Sequence, residues 1–111
     1  MEFLKRIYEK RRRYFENLDE YLNSVKEIVL KDIPESEIYV FGSVVGGDYS
    51  VGLSDIDVAV VSDSFSDREK KLEMFGKLTK EFFDSPFEFH VLTKEQWKFY
   101  RRFVKEFRKV L

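Results

Sequence analysis

The sequence predicts an α/β (α+β) fold in which a small mixed β-sheet carries helices mainly on one face. The main observation is the order of segments, which reads helix, strand, loop, strand, helix, strand, helix. The second is composition: 43% of the 111 residues are apolar and 12 are Phe, which is enough to build a core. We therefore expect one domain over residues 1–111, with a helical N-terminal segment over 1–33 and a core over 36–111.

The first 31 residues predict helix, since they contain no Gly or Pro and place apolar residues at helical spacing. A single helix of this length would be about 45 Å long. We expect a break near Asn17–Asp19, because Asn and Asp favour helix caps. Pro34 ends the segment, because the residue before a proline is disfavoured in a helix.

Three short apolar segments predict strands over residues 38–41, 55–61 and 87–92. The connection over 44–54 contains three of the five glycines and is predicted to be a loop. Each of the last two strands is followed by a capping-box pattern, which marks the start of a helix.

The first capping box, Ser66 to Glu69, begins a helix that should bury Leu72, Phe75, Leu78 and Phe82. The second, Thr93 to Gln96, begins a C-terminal helix that should continue to Val110.

Two carboxylates follow the glycine-rich loop, and a Gly-Ser pair precedes it. Asp55 and Asp57 are two residues apart, so in a strand they would project from one face. Neighbouring carboxylates repel each other where solvent is poor, unless a cation neutralises them. Gly42 and Ser43 end the first predicted strand, where a glycine lets a phosphate approach the backbone closely. The residues together predict a metal-dependent site for a nucleoside triphosphate.

This motif resembles the signature of the DNA polymerase beta-like nucleotidyltransferase superfamily. Phe41-Gly42-Ser43 is followed, after eleven residues, by Asp55-Ile56-Asp57-Val58. At its length the chain is most similar to the minimal nucleotidyltransferases, a group often encoded beside HEPN-domain proteins. The resemblance covers residues 36–95 and implies a mixed sheet with helices.

The resemblance also implies an activity, the transfer of an NMP from a nucleoside triphosphate such as ATP to a hydroxyl acceptor, with release of pyrophosphate. AMP is the NMP that we expect. Two Mg²⁺ ions about 3.5–4 Å apart assist such a displacement, and Mn²⁺ can substitute. Asp55 and Asp57 are the expected catalytic metal ligands. The family uses a third carboxylate on a later strand, and Glu88 is the only acid in the third predicted strand. Glu88 would bind the metal nearest the attacking hydroxyl, and Gly42 and Ser43 would hold the triphosphate.

Each motif also has a purely structural interpretation. The Asp pair is typical of a solvated strand edge, Glu88 of an exposed strand residue, and Gly-Ser of a turn or helix cap. His90 shares a face with Glu88 and either contacts substrate or packs in the sheet. The family often has arginine just after Gly-Ser, where this chain has Val44 and Val45. Metal ions, backbone N–H groups and distant Lys or Arg residues must then meet the triphosphate charge.

Partners are less constrained by the sequence. The net charge of −1 is not typical of a general nucleic-acid binder, so nucleic acid stays an open question. Two basic clusters are solvated helix faces or a docking surface for a partner or an RNA backbone; they contain Lys5, Arg6, Lys10, Arg11, Arg12 and Arg13, and Lys98, Arg101, Arg102, Lys105, Arg108 and Lys109.

The alternative function is an antitoxin-like protein that binds and neutralises a HEPN-domain partner, with weak or no catalysis. Apolar residues on the first and last predicted helices also predict a homodimer or a helical partner. The chain has no Cys, no apolar run of about 20 residues that could span a bilayer, and a charged N-terminus unlike a signal peptide. These features predict a cytoplasmic protein without a membrane partner.

Overall fold

The computed structural model describes residues 1–110, which form a four-stranded sheet with helices on both sides. In chain order the elements are α1 (Glu2–Glu16), α2 (Leu18–Asp32), β1 (Glu37–Phe41), α3 (Ser43–Gly46), β2 (Ile56–Val61), a 3₁₀ turn (Asp63–Ser66), α4 (Arg68–Glu81), β3 (Phe87–Leu92), α5 (Lys94–Tyr100) and β4 (Phe107–Lys109). The predicted class, a mixed sheet with helices, is confirmed.

The strand order in the sheet is β3-β2-β1-β4. β2 and β3 run parallel, which requires a crossover, and α4 supplies it. β1 runs antiparallel to both of its neighbours. Asp57 of β2 is opposite Glu88 of β3 in the parallel register, so the topology alone brings two acids to adjacent positions.

Most helical packing is on one face of the sheet. There α2 and α4 bury Val25, Val29 and Leu78 against strand residues such as Ile38 and Val58, all of them with 0% exposure. The opposite face carries α5, whose Trp97 packs in a smaller cluster with Tyr39, Phe41, Ala59, Val61 and Leu92. The sheet is therefore buried on both faces over much of its length, and the site described below lies on the α5 face.

The predicted break in the N-terminal helical segment is confirmed at Asn17. Its backbone dihedrals, φ −117° and ψ 37°, are not helical. Its backbone N–H and its side-chain amide both donate to the Arg13 carbonyl, at 2.9 and 3.0 Å. These bonds close α1, and α2, which packs on the sheet, begins at Leu18.

The predicted C-terminal helix is wrong beyond Tyr100. The chain turns over residues 101–103, and β4 pairs with β1 from Tyr39↔Lys109 to Phe41↔Phe107. Without this pairing, β1 would leave one row of backbone N–H and C=O groups without strand partners. Phe107 also packs edge-on against the rings of Tyr39 and Trp97, at 5.9 and 5.8 Å. Strand pairing therefore overrides the helical spacing of the apolar residues.

The helix predicted after Ser66 forms as α4, but its cap and its buried face differ from the prediction. Asp67 is the N-cap and accepts from the backbone N–H groups of Glu69 and Lys70. Met74 and Leu78 are buried, whereas Leu72 and Phe75 are 59% and 45% exposed. Within residues 1–110, no helix combines the length and apolarity needed to cross a membrane.

Candidate functional site

Three side chains with potential metal-ligand atoms converge on the α5 face of the sheet. They are Asp57 on β2 and Glu88 and His90 on β3. Residues two apart in a strand share a face, which places Glu88 and His90 on the same side. One ligand atom from each of the three residues lies within 4.8 Å of the others. His90 Nε2 lies 3.1 Å from Asp57 Oδ1.

The three residues differ in their access to solvent. The side chains of Asp57 and His90 are 25% and 19% exposed, and Glu88 is exposed. The His90 ring lies 5.2 Å from the ring of Phe41 and 5.6 Å from that of Tyr100. These two aromatic rings restrict the rotation of the imidazole, whose Nε2 atom faces Asp57. The group of three side chains is therefore open to solvent at Glu88 and largely shielded from it at His90.

Gly42 lies directly against the Asp57 carboxylate. Its φ of 90° and ψ of −159° belong to a region that is almost restricted to glycine. A Cβ atom at this position would be 2.9 Å from Asp57 Oδ2. Glycine is therefore required twice, once by the backbone and once by the close carboxylate.

A cleft of about 470 Å³ opens beside this pair. Gly42, Ser43 and Asp57 line one side, and residues 103–106 line the other. The Gly42 backbone N–H donates to the Glu106 carbonyl at 3.2 Å, so it is already engaged. Ser43 begins α3 and is exposed, so its hydroxyl is accessible from the cleft.

The sequence-predicted site residues are thus partly brought together. Asp57 and Glu88 are adjacent, and Gly42 and Ser43 line the same cleft as Asp57. Asp55 is exposed and lies outside the group formed by Asp57, Glu88 and His90. The reason is that β2 begins at Ile56, so the pairing of the strands does not fix the Asp55 side chain.

Helix α1 fastens the loop that leads to Asp55. The Arg11 guanidinium donates to the carbonyls of Val51 and Ser54, at 2.8 and 2.5 Å. The Phe15 ring stacks on Tyr49, with centroids 4.8 Å apart and the planes at 7°. The two hydrogen bonds join residues 40 and 43 positions apart in the sequence, so they could not be inferred from local pattern. We expect them to limit the motion of residues 49–54.

Replacing Arg11 with Ala will loosen this loop. Two carbonyls lose a charged donor, so we expect a loss of about 1–3 kcal/mol in the free energy of unfolding. Backbone amides over 49–54 should exchange with deuterium faster, which mass spectrometry measures. Arg13→Ala is the matched control, because Arg13 is exposed on the same helix. Equal exchange in both variants would show that Arg11 does not hold the loop.

Comparison with known proteins defines the class of this protein, an enzyme that transfers nucleotidyl groups. The nucleotidyltransferase domain model matches residues 18–110, and the chain belongs to this family. This confirms the resemblance to the minimal nucleotidyltransferases of the polymerase beta-like superfamily. The matched region begins at the first residue of α2, so α1 precedes it.

Two solved structures are similar to this chain. One, described as a "putative nucleotidyltransferase", is 62% identical with a TM-score of 0.74, over 80% of this chain and 96% of that chain. The other, described as a "putative nucleotidyltransferase from Sulfolobus solfataricus", is 24% identical with a TM-score of 0.59, over 93% of this chain and 84% of that chain. At that identity the second likeness supports the fold alone. A comparison with curated proteins gave no match.

Proposed function

We propose that the protein transfers an NMP, with AMP as the first expectation, from a nucleoside triphosphate to a hydroxyl group and releases pyrophosphate. The observation that carries the proposal is the placement of the Asp57 and Glu88 carboxylates together, with Gly42 directly against Asp57. A glycine turn beside two acids suits a phosphate chain accompanied by a divalent cation.

The donor set fits a divalent cation. Asp57 and Glu88 would hold it, and Asp55 would join from the adjoining loop. Mg²⁺ is the expected ion and Mn²⁺ a substitute, since carboxylate oxygens suit both. A bound pair of such ions supplies charge neutralisation for the attacking oxygen, the leaving oxygen and the transferred group.

Each side chain of the site has a separate role in this proposal. Asp57 is held by β2 and its neighbours, so it offers a fixed carboxylate. Glu88 is exposed, so an acceptor hydroxyl can approach it and give up its proton there. Ser43 offers its hydroxyl to the β- and γ-phosphates. Lys105 lines the same cleft and would meet triphosphate charge there, in place of the arginine that the family often has after Gly-Ser.

The test is to follow the label from two forms of ATP into acceptors of a cell extract, with Mg²⁺ or Mn²⁺ present. Label at the α-phosphate should be transferred, and label at the γ-phosphate should leave as pyrophosphate. A Glu88→Gln variant should lose the transfer. Transfer from the γ-position would indicate phosphoryl transfer instead. Equal α-label transfer by wild type and Glu88→Gln would contradict the proposed role of Glu88.

A second candidate function is that of an interaction protein, and one observation favours it. Helix α1 exposes apolar side chains, with Phe3 72%, Leu4 62% and Tyr8 46% exposed. Such residues in a group mark contact surfaces more often than a random surface does. We propose that this surface binds a helical partner, a HEPN-domain protein or a second copy of the chain, with an antitoxin-like role for the first.

Light scattering at micromolar concentration tests whether the partner is a second copy of the chain. If α1 mediates self-association, the wild type should have the mass of a dimer and Leu4→Glu that of a monomer, because a charge would be buried at the interface. Leu53→Glu is the control, since Leu53 is 88% exposed in the loop outside α1. A monomeric wild type would exclude the homodimer. Failure of a HEPN-domain protein to co-elute would then exclude the antitoxin-like role.

A further inference from the structure

We propose that His90 is a metal ligand, and that its Nε2 atom completes the cation site formed by Asp57 and Glu88. The donor set is then two carboxylates and one imidazole, and the nucleotide-free protein should prefer a transition ion such as Mn²⁺ or Zn²⁺ over Mg²⁺. The inference deepens the proposed function and rests on its metal site, but it does not depend on the transfer reaction.

The spacing of the ligand atoms suits a shared ion. Two ligands at right angles on an octahedral ion, each about 2.1 Å from it, are about 3.0 Å apart. His90 Nε2 and Asp57 Oδ1 are 3.1 Å apart, and one potential ligand atom from each of Asp57, Glu88 and His90 lies within 4.8 Å of the other two. One ion can therefore contact all three groups after small rotations of the exposed Glu88 side chain.

The imidazole is also oriented before any ion arrives. Phe41 and Tyr100 flank the ring at 5.2 and 5.6 Å, and β3 fixes its backbone. Only 19% of the His90 side chain is exposed. An oriented ring loses less conformational freedom on binding, which favours its use as a ligand.

The chemical consequence is a change in ion preference. Mg²⁺ takes oxygen ligands almost exclusively, whereas imidazole nitrogen suits Zn²⁺ best, and Mn²⁺, although mainly an ion of oxygen ligands, also binds mixed nitrogen and oxygen sites. A purely carboxylate site would not separate these ions in the same way. The competing interpretation is that the 3.1 Å contact is only a hydrogen bond, by which His90 holds Asp57.

Pulsed electron paramagnetic resonance of bound Mn²⁺ separates the two interpretations. The chain contains a single histidine, so in tag-free protein any imidazole signal must come from His90. We expect ¹⁴N modulation of the Mn²⁺ echo without nucleotide, and its replacement by a ¹⁵N pattern in protein labelled with ¹⁵N-histidine. Bound Mn²⁺ with an oxygen-only echo would overturn the proposal. Labelling changes no side chain, so the test does not depend on a variant that folds.

Calorimetry adds the ion preference. His90→Gln should weaken Mn²⁺ binding by about tenfold or more and change Mg²⁺ binding far less. Mg²⁺ affinity equal to that for Mn²⁺ in the wild type, or no Mn²⁺ binding, would contradict the inference. Nitrogen coupling without α-label transfer would leave His90 ligation standing and refute the transfer reaction. Transfer of the α-label without nitrogen coupling would support the transfer reaction and refute His90 ligation.

Discussion

Asp57→Asn will abolish divalent-cation binding and α-label transfer while the protein remains folded. Asn has the same shape but lacks the charge that a cation needs, and it also removes the repulsion between Asp57 and Glu88. We expect more than about a hundredfold loss of transfer, above the range for residues that only support a ligand. The free energy of unfolding should stay equal or rise slightly, because Asn keeps polar side-chain atoms within hydrogen-bond distance of His90. Calorimetric titration with Mn²⁺ and urea unfolding measure the two effects.

Asp19→Asn is the matched control for that substitution. Asp19 pairs with Arg108 at 3.1 Å, and its side chain is 84% exposed. Surface ion pairs of this kind contribute about 0–1 kcal/mol, so the stability should change little. Asp19 is not part of the group formed by Asp57, Glu88 and His90, so cation binding should not change. If Asp57→Asn binds Mn²⁺ as well as the wild type does, the carboxylate is not a ligand. If it unfolds, Asp57 is a structural residue.

Gly42→Ala will remove the same function by a different route. The backbone at Gly42 has φ 90° and ψ −159°, where a side chain costs about 1–3 kcal/mol. The added Cβ would also be 2.9 Å from Asp57 Oδ2, so the carboxylate must move away from its position. We therefore expect lower stability together with loss of cation and nucleotide binding, measured by urea unfolding and calorimetry.

Gly47→Ala separates the two effects in Gly42→Ala. Gly47 also has a positive φ, 79°, but a Cβ there would meet no heavy atom within 4 Å. This control should lose about 1–2 kcal/mol of stability and keep its cation affinity. Loss of cation binding in both variants would mean that the whole loop, and not the Gly42–Asp57 contact, determines the site. Retained binding in Gly42→Ala would contradict the proposed role of Gly42.

The predictable part of the fold came from patterns that are local in sequence. Short apolar segments predicted β1, β2 and β3. Asn17 and Pro34 marked the ends of helices because their backbone preferences are local. The strand β4 was not predictable in this way, because residues 107–109 pair only where β1 offers a free edge. Spacing alone favoured a helix there.

The candidate site was also predictable from the sequence only in part. The period of two predicted that Glu88 and His90 share a face, but their distance to Asp57 depends on the register between β2 and β3. That register is a property of two strands that α4 separates in the chain, and local pattern does not predict it. Asp55 shows the limit of the pattern, since the alternation holds only inside the strand and Asp55 precedes it.

The most direct test of the central claim is anomalous diffraction from crystals grown with Mn²⁺ and an ATP analogue that cannot be cleaved between the α- and β-phosphates. We expect a Mn²⁺ peak bound by Asp57 and Glu88, with the β- and γ-phosphates beside Ser43. A peak bound by other residues, or an analogue whose phosphates lie away from Ser43, would contradict it.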